Sequence, residues 1–384
     1  MRPFELEAYF SHWNHAVRHD LTASDSQTIT LKELLALAEP QDRQRFDNLT
    51  LGYTNPRGAE WLREAIATAY DTIAPADLIC FSGAQEGIYA AMHALLGPDD
   101  HAIIVTPNYQ SAETVPASLC AVSGIALDEA RGWTLDIDAV RQAIRPNTRL
   151  ISINFPNNPT GKILERDRFD ALVSLCRAQG IWLFSDEVYR LIRRAHHAPL
   201  PQVADVYERG LSLNALSKAY GLPGLRVGWI ACRDRALLQA MEQQKHYLSI
   251  CNAAPSEVLA RIALRAEHTI VGRNRGIAAD NFSLLRAFLA GRPDLFAWHE
   301  PDGGVVAYPR YLGAEGVEAF VQRLIHTAGV LLLPASVYQS DLTPSPDAHF
   351  RIGFGRADFP QSLAALAAQL PPAYVSVKQG QHTQ

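Results

Sequence analysis

Short apolar runs alternate, through the first two thirds of the chain, with segments whose apolar residues recur every three or four positions. Leu78 to Phe81, Ala102 to Thr106, Arg149 to Phe155, Ile181 to Ser185, Leu211 to Leu216 and Val227 to Ala231 predict strands. They are largely apolar along their whole length, the pattern of strands covered on both faces. Trp61 to Tyr70, Gly87 to Leu96, Asp136 to Ile144 and Asp167 to Gln179 place their apolar residues on one helical face. The order predicts an α/β fold, with a large domain built on a mostly parallel sheet covered by helices on both faces. Ala236 to Ala290 reads as helical except around Cys251 to Pro255. Strands at Leu295 to Trp298, Val305 to Pro309, Val330 to Leu333 and Phe350 to Phe354, with helices at Val317 to Thr327 and from Pro360 to Gln369, predict a smaller α+β domain.

The expected division is an N-terminal arm over 1–50 that packs with the small domain, a large, ligand-binding domain over 51–285, and the small domain over 286–373. Residues 374–384 are polar and aperiodic, and are expected to be a disordered tail. In the arm, Phe4, Leu6, Tyr9, Phe10 and Trp13 supply apolar content, and a polar stretch from Thr22 to Thr30 precedes a short helix at Leu31 to Ala38. His12, His15 and His19 recur at near-helical spacing, but without carboxylate or cysteine partners they are read as polar surface and not as a metal site.

Composition narrows the class. With 48% hydrophobic and 20% charged residues the chain is an ordinary globular protein, and a formal net charge of -5 argues against nucleic acid as a partner. Its five cysteines lie far apart with no Cys-x-x-Cys pair, which predicts reduced thiols and a cytoplasmic protein. No run reaches the roughly 20 apolar residues of a membrane helix, and no secretory signal is evident.

The chemistry sits where strands stop. Leu211 to Leu216 runs into Ser217-Lys218 and then a loop rich in glycine and proline, closed by Arg226 before the next strand. Lysine and arginine around one tight loop suit an anion with an amine nearby, and a nucleophilic lysine usually means a Schiff base; pyridoxal phosphate offers both a phosphate and an aldehyde. Two further strand ends carry Asn157-Asn158-Pro-Thr-Gly161 and Asp186-Glu-Val-Tyr189. Ser82-Gly-Ala-Gln85 is a strand–turn–helix junction whose backbone N–H groups form a ready anion site.

Asn158-Pro-Thr-Gly, Asp186-x-x-Tyr189 and Ser217-Lys218 followed by Gly-Leu-x-Gly-x-Arg226 resemble, in order and spacing, the fold-type I pyridoxal-phosphate aminotransferases of class I/II. Tyr53-x-x-x-x-Gly58, Gly83-Ala-Gln85, Pro107-x-Tyr109 and Arg351-Ile-Gly-Phe extend the likeness over nearly the whole chain. The resemblance implies transfer of an amino group from an L-amino acid to a 2-oxo acid, with pyridoxal 5'-phosphate held as an aldimine on Lys218. It implies Asp186 at the pyridine nitrogen, Asn158 and Tyr189 on the phenolic oxygen, and Tyr109 stacked on the ring. Gly83, Ala84, Gln85, Ser217 and Arg226 would hold the phosphate. Tyr53 would reach the phosphate of a neighbouring subunit, so a homodimer with sites at the interface is implied. Arg351 would clamp the substrate α-carboxylate, with Asn158 and Ser26 also on the substrate.

Two departures stand out. The family commonly has a hydroxyl residue three before the lysine, where this chain has Ala215. The arm, with Ser24-Asp25-Ser26, also shows some likeness to capreomycidine synthase, a relative that cyclises a hydroxylated arginine. A lyase or cyclase on a specialised amino acid, such as an arginine-derived one, is therefore the alternative, and Asp25 would favour a basic side chain if it pointed into the site. A non-catalytic regulator module is more remote, because only about 50 residues precede Tyr53 and they carry no basic helix-turn-helix pattern.

Overall fold

The computed structural model describes residues 1–13, 16–194 and 197–372. His15 and the expected disordered tail at 374–384 lie outside the described residues. Seven strands form the central sheet: β1 (Leu78–Phe81), β2 (His101–Thr106), β3 (Ala121–Ala126), β4 (Thr148–Asn154), β5 (Trp182–Asp186), β6 (Gly210–Ala215) and β7 (Gly228–Ala231). Their order across the sheet is β1-β7-β6-β5-β4-β2-β3, and β7 alone runs antiparallel to its neighbours. β3 was not expected from the sequence. It is a half-exposed edge strand, Ala-Val-Ser-Gly-Ile-Ala, too weakly apolar to read as one. Leu342 and Thr343 cover it at Gly124, where a Cβ would come within 2.6 Å of Leu342.

Helix ends follow local chemistry. Asp136 and Asp234 cap the helices Ile137–Ala143 and Arg235–His246 by accepting from their first-turn N–H groups. Gly180 ends Arg166–Gln179 in the left-handed region, as Gly329 ends Val317–Ala328. The helical stretch expected over Ala236 to Ala290 is three helices, Arg235–His246, Ala254–Arg265 and Glu267–Ala290.

The last of these serves two cores. Ile270, Val271 and Ala278 pack with Leu62, Ile66, Trp229 and Val258 on one side of the sheet. Phe282, Leu285 and Leu289 pack with Phe296, Phe320, Phe350 and Leu366 in the C-terminal region. The boundary drawn at residue 285 thus falls inside one continuous helix. In the C-terminal region Phe350–Gly353 lies between Val306–Ala307 and Leu333–Pro334 in a small antiparallel sheet.

The arm does more than join the small domain. His19–Asp20 pairs in parallel with Val330–Leu331, and Leu21 enters the C-terminal core. Leu6, however, is buried among Val105, Ile153 and Tyr338, and Leu34 beside Leu62 and Val258. An unexpected helix, Pro40–Asp47, follows Leu31–Ala36. The arm therefore crosses from one region to the other, over the carboxyl ends of the sheet strands.

Candidate active site

The strand order reverses between β2 and β4: the chain goes outward to β3 on one side and on through β5 and β6 on the other. Such a switch point opens a crevice at the carboxyl ends of the strands. There a cavity of about 390 Å³ is lined by Ala84, Gln85, Tyr109, Asn158, Asp186, Tyr189, Ser217, Lys218, Arg226 and Arg351. Ala215 also lines it, with no hydroxyl to offer. A depression by Glu187, Arg190 and Arg193 is only about 30 Å³ and holds none of these residues.

Lys218 lies in the turn after β6. Its Nζ donates to Ser24 Oγ at 2.8 Å, and its carbonyl oxygen accepts from the Ser26 N–H at 3.1 Å. Burial pushes the Lys218 amine down to about 8, with Asp25 the main group holding it up. A larger fraction of the amine is therefore neutral near pH 8 than on a free lysine. Asp186 ends β5 opposite Asn154 of β4, whose side chain donates to the Asp186 carbonyl at 3.0 Å. Burial pushes the Asp186 carboxyl up to about 6, against the pull of the Val188 N–H and Lys218. A carboxylate in this position gains most from a cationic ring N–H.

Arg351 is 1% exposed. It donates to Asn158 Oδ1 at 3.0 Å, to the Tyr338 hydroxyl and to the Thr22 carbonyl at 2.7 Å, while its buried Nε has no partner. A guanidinium held this way with a donor to spare is built for a carboxylate. With its oxygen engaged by Arg351 and Tyr338, Asn158 keeps its NH2 as the donor it can offer the cavity. The Tyr189 hydroxyl donates to the Ser24 carbonyl at 2.8 Å, and Tyr109 donates to Glu7 Oε1 at 2.9 Å with Phe4 against its ring.

At the other end Arg226 adopts φ 51° after the turn Pro223–Leu225. Gly83 precedes the helix Ala84–Leu95 with φ 92°, and a Cβ there would lie 2.3 Å from the Arg226 Nη2. Only glycine lets the guanidinium rest over that helix start. The Gly83 N–H is itself bound to the Phe81 carbonyl, so the helix offers the N–H groups that follow it. Gln85 Oε1 is buried without a partner. Amine, carboxylate and anion cradle together fit pyridoxal phosphate.

Two expected residues lie elsewhere. Ser26 does not line the cavity; its hydroxyl is buried without a partner, and Ser24 is the serine that meets Lys218. Tyr53 is 90% exposed on the surface, in a loop tied by the Thr54 hydroxyl to the Asn252 carbonyl. Asp25 does not present a free carboxylate, because Arg356 donates to both of its oxygens at 3.0 and 3.2 Å. Tyr338, Glu7 and Arg356 went unremarked in the sequence, where nothing but their distant neighbours distinguishes them. Among the described residues no group of three or more His, Cys, Asp or Glu is placed to hold a metal.

The sequence model of "Aminotransferase class I and II" matches residues 21–365. The chain belongs to that family. Among its relatives, capreomycidine synthase of Streptomyces vinaceus is 29% identical, with 95% of this chain and 91% of the relative covered. An arginine–pyruvate transaminase of Pseudomonas aeruginosa is 31% identical over 80% of each chain. A solved PLP-dependent aminotransferase of Streptococcus suis superposes with a TM-score of 0.89 at 28% identity, covering 96% of this chain and 97% of its own. The protein is thus a pyridoxal-phosphate-dependent aminotransferase of fold type I, which moves an amino group from an amino acid to a 2-oxo acid.

Proposed function

We propose that the protein carries out this reaction at the cavity between the arm and the carboxyl ends of the sheet, on an L-amino acid with a basic side chain. The observation that carries the site is the convergence of Lys218, Asp186 and Arg351 on one cavity. The names of the arginine–pyruvate transaminase and of capreomycidine synthase, which the sequence likeness also singled out, support the side-chain class. Bound pyridoxal phosphate supplies an electron sink for the pair left at the substrate Cα when its proton departs. Asp186 would hold the proton on the ring nitrogen and the Asn158 NH2 would donate to the phenolic oxygen; Tyr189 would join it there by turning its hydroxyl from the Ser24 carbonyl. Arg351 orients the substrate through its carboxylate, which fixes the Cα bond to be broken. The Lys218 amine would move the proton at the substrate Cα; positioned proton transfer of this kind is worth roughly 10²–10⁴-fold. Ser24 Oγ, which accepts from the Lys218 amine, would steady that amine whenever it is not bound to the cofactor.

The working unit we propose is a cytoplasmic homodimer. All five cysteines are free thiols, as a reducing compartment requires, and no helix among the described residues is long and apolar enough to cross a membrane. Leu51, Tyr53, Tyr247, Leu248 and Ile250 are exposed on two loops tied together at Thr54, an apolar surface suited to a second copy. Tyr53 would then reach the partner's phosphate site.

The test offers the loaded enzyme single amino acids without acceptor. One equivalent of 2-oxo acid per site from arginine or ornithine is expected; release of ammonia or of a cyclised product with no 2-oxo acid would support the cyclase reading instead, and preference for glutamate or aspartate would overturn the basic-substrate assignment.

A further inference from the structure

The cavity is lined by five charged side chains, Glu7, Asp186, Lys218, Arg226 and Arg351. On the reading given above, four are committed: Arg226 to phosphate, Asp186 to the ring nitrogen, Lys218 to the cofactor and the proton, Arg351 to the substrate carboxylate. Glu7 has no task. It stands on the helix Glu5–Trp13, exposed at the mouth, and one of its oxygens accepts from Tyr109. Leu6 and Phe10 of the same helix line the cavity beside it and give an alkyl chain an apolar wall. Asp25, the carboxylate the sequence offered for this role, does not line the cavity, and both its oxygens accept from Arg356.

We infer that Glu7 is the specificity residue for the substrate side chain, and that it receives a guanidinium or ammonium group carried on an aliphatic stem. This rests on the aminotransferase site proposed above. A charge-assisted bond to a partly exposed carboxylate adds selectivity for cationic over neutral isosteres, and little affinity for the α-amino acid part common to all of them. The competing roles for Glu7 are structural: it sits with Glu5 in the first helical turn, where a negative charge favours the helix dipole, and it fixes the Tyr109 hydroxyl, a loss that would fall on both ligands alike.

The experiment compares arginine with citrulline, its neutral near-isostere, as amino donors in the half-reaction, for the wild type, Glu7→Gln, Glu7→Lys and Glu5→Gln. Binding of both ligands is also measured by calorimetry in a Lys218→Ala background, where proton transfer is blocked. Glu7→Gln is expected to lower the arginine-to-citrulline ratio of kcat/KM, and of affinity, about 10-fold with citrulline itself unchanged. Glu7→Lys should shift preference toward glutamate, and Glu5→Gln, away from the cavity, should leave the ratio as it is. Equal loss for both ligands, or an unchanged ratio in Glu7→Gln, overturns the assignment. If no amino acid of any kind reacts with the wild type, it is the aminotransferase site that fails and not the role of Glu7; the calorimetric ratio still reads the latter.

Discussion

Asp186 shows how a residue can cost stability for the sake of chemistry. Its carboxyl ordinarily titrates near 3.9, and burial raises it to about 6 in the protein without cofactor. Between those values the folded state holds a proton that the unfolded chain has lost, so stability falls as pH rises through the window. Asp186→Asn should therefore raise the melting temperature of the cofactor-free protein at pH 7, with the gain vanishing near pH 4, while cofactor-dependent turnover collapses. Thermal melts at the two pH values check this; equal shifts at both would mean that the carboxylate is not under strain. Asp186 and Lys218 were legible in the sequence because each stands one serine beyond the apolar part of a strand and within a motif that matches the family in order and spacing. Ser24 and Ser26 were not separable there. Both lie in the same extended stretch, and the fold divides them: Ser24 offers its hydroxyl to the Lys218 amine, and Ser26 its backbone N–H to the Lys218 carbonyl.

At the level of elements, the lysine loop and the arm fix each other. Gly221 has φ +66°, and a Cβ there would stand 2.3 Å from the Gln27 carbonyl oxygen and 2.8 Å from that of Ser26. Gly221→Ala must both strain the backbone and push the arm away, at a cost of roughly 1–3 kcal/mol. We expect a lowered melting temperature and faster loss of cofactor on dialysis, whereas Gly224→Ala, with open space around it, should behave as wild type. Equal behaviour of the two variants would show that the arm does not press on the loop. The central strands and their helices were readable because their periodicity is strong, whereas β3 is an edge with little apolar content. Tyr338, Glu7 and Arg356 come from the opposite ends of the chain. Contacts such as Arg356 with Asp25, 331 residues apart, leave no local trace.

For the whole molecule, the exposed Tyr53 loop has a consequence only in an assembly. If Tyr53 completes a neighbour's site, mixing Tyr53→Ala with Lys218→Ala subunits under conditions of exchange restores one complete site in each mixed dimer. Random pairing makes half of the dimers mixed, so activity should return to about one quarter of wild type. No recovery, despite exchange shown by differently tagged subunits, would place Tyr53 outside the site. The long helix Glu267–Ala290 bears on the molecule differently. Because it buries Ile270 in one core and Phe282 in the other, neither region owns it. A fragment cut at residue 285 would expose Phe282 and Leu285 on a ragged end and deprive the remainder of a wall. Sharing that helix should couple the two regions, so heat is expected to melt the cofactor-free protein in a single calorimetric transition; two resolved transitions would show that each core holds without the other.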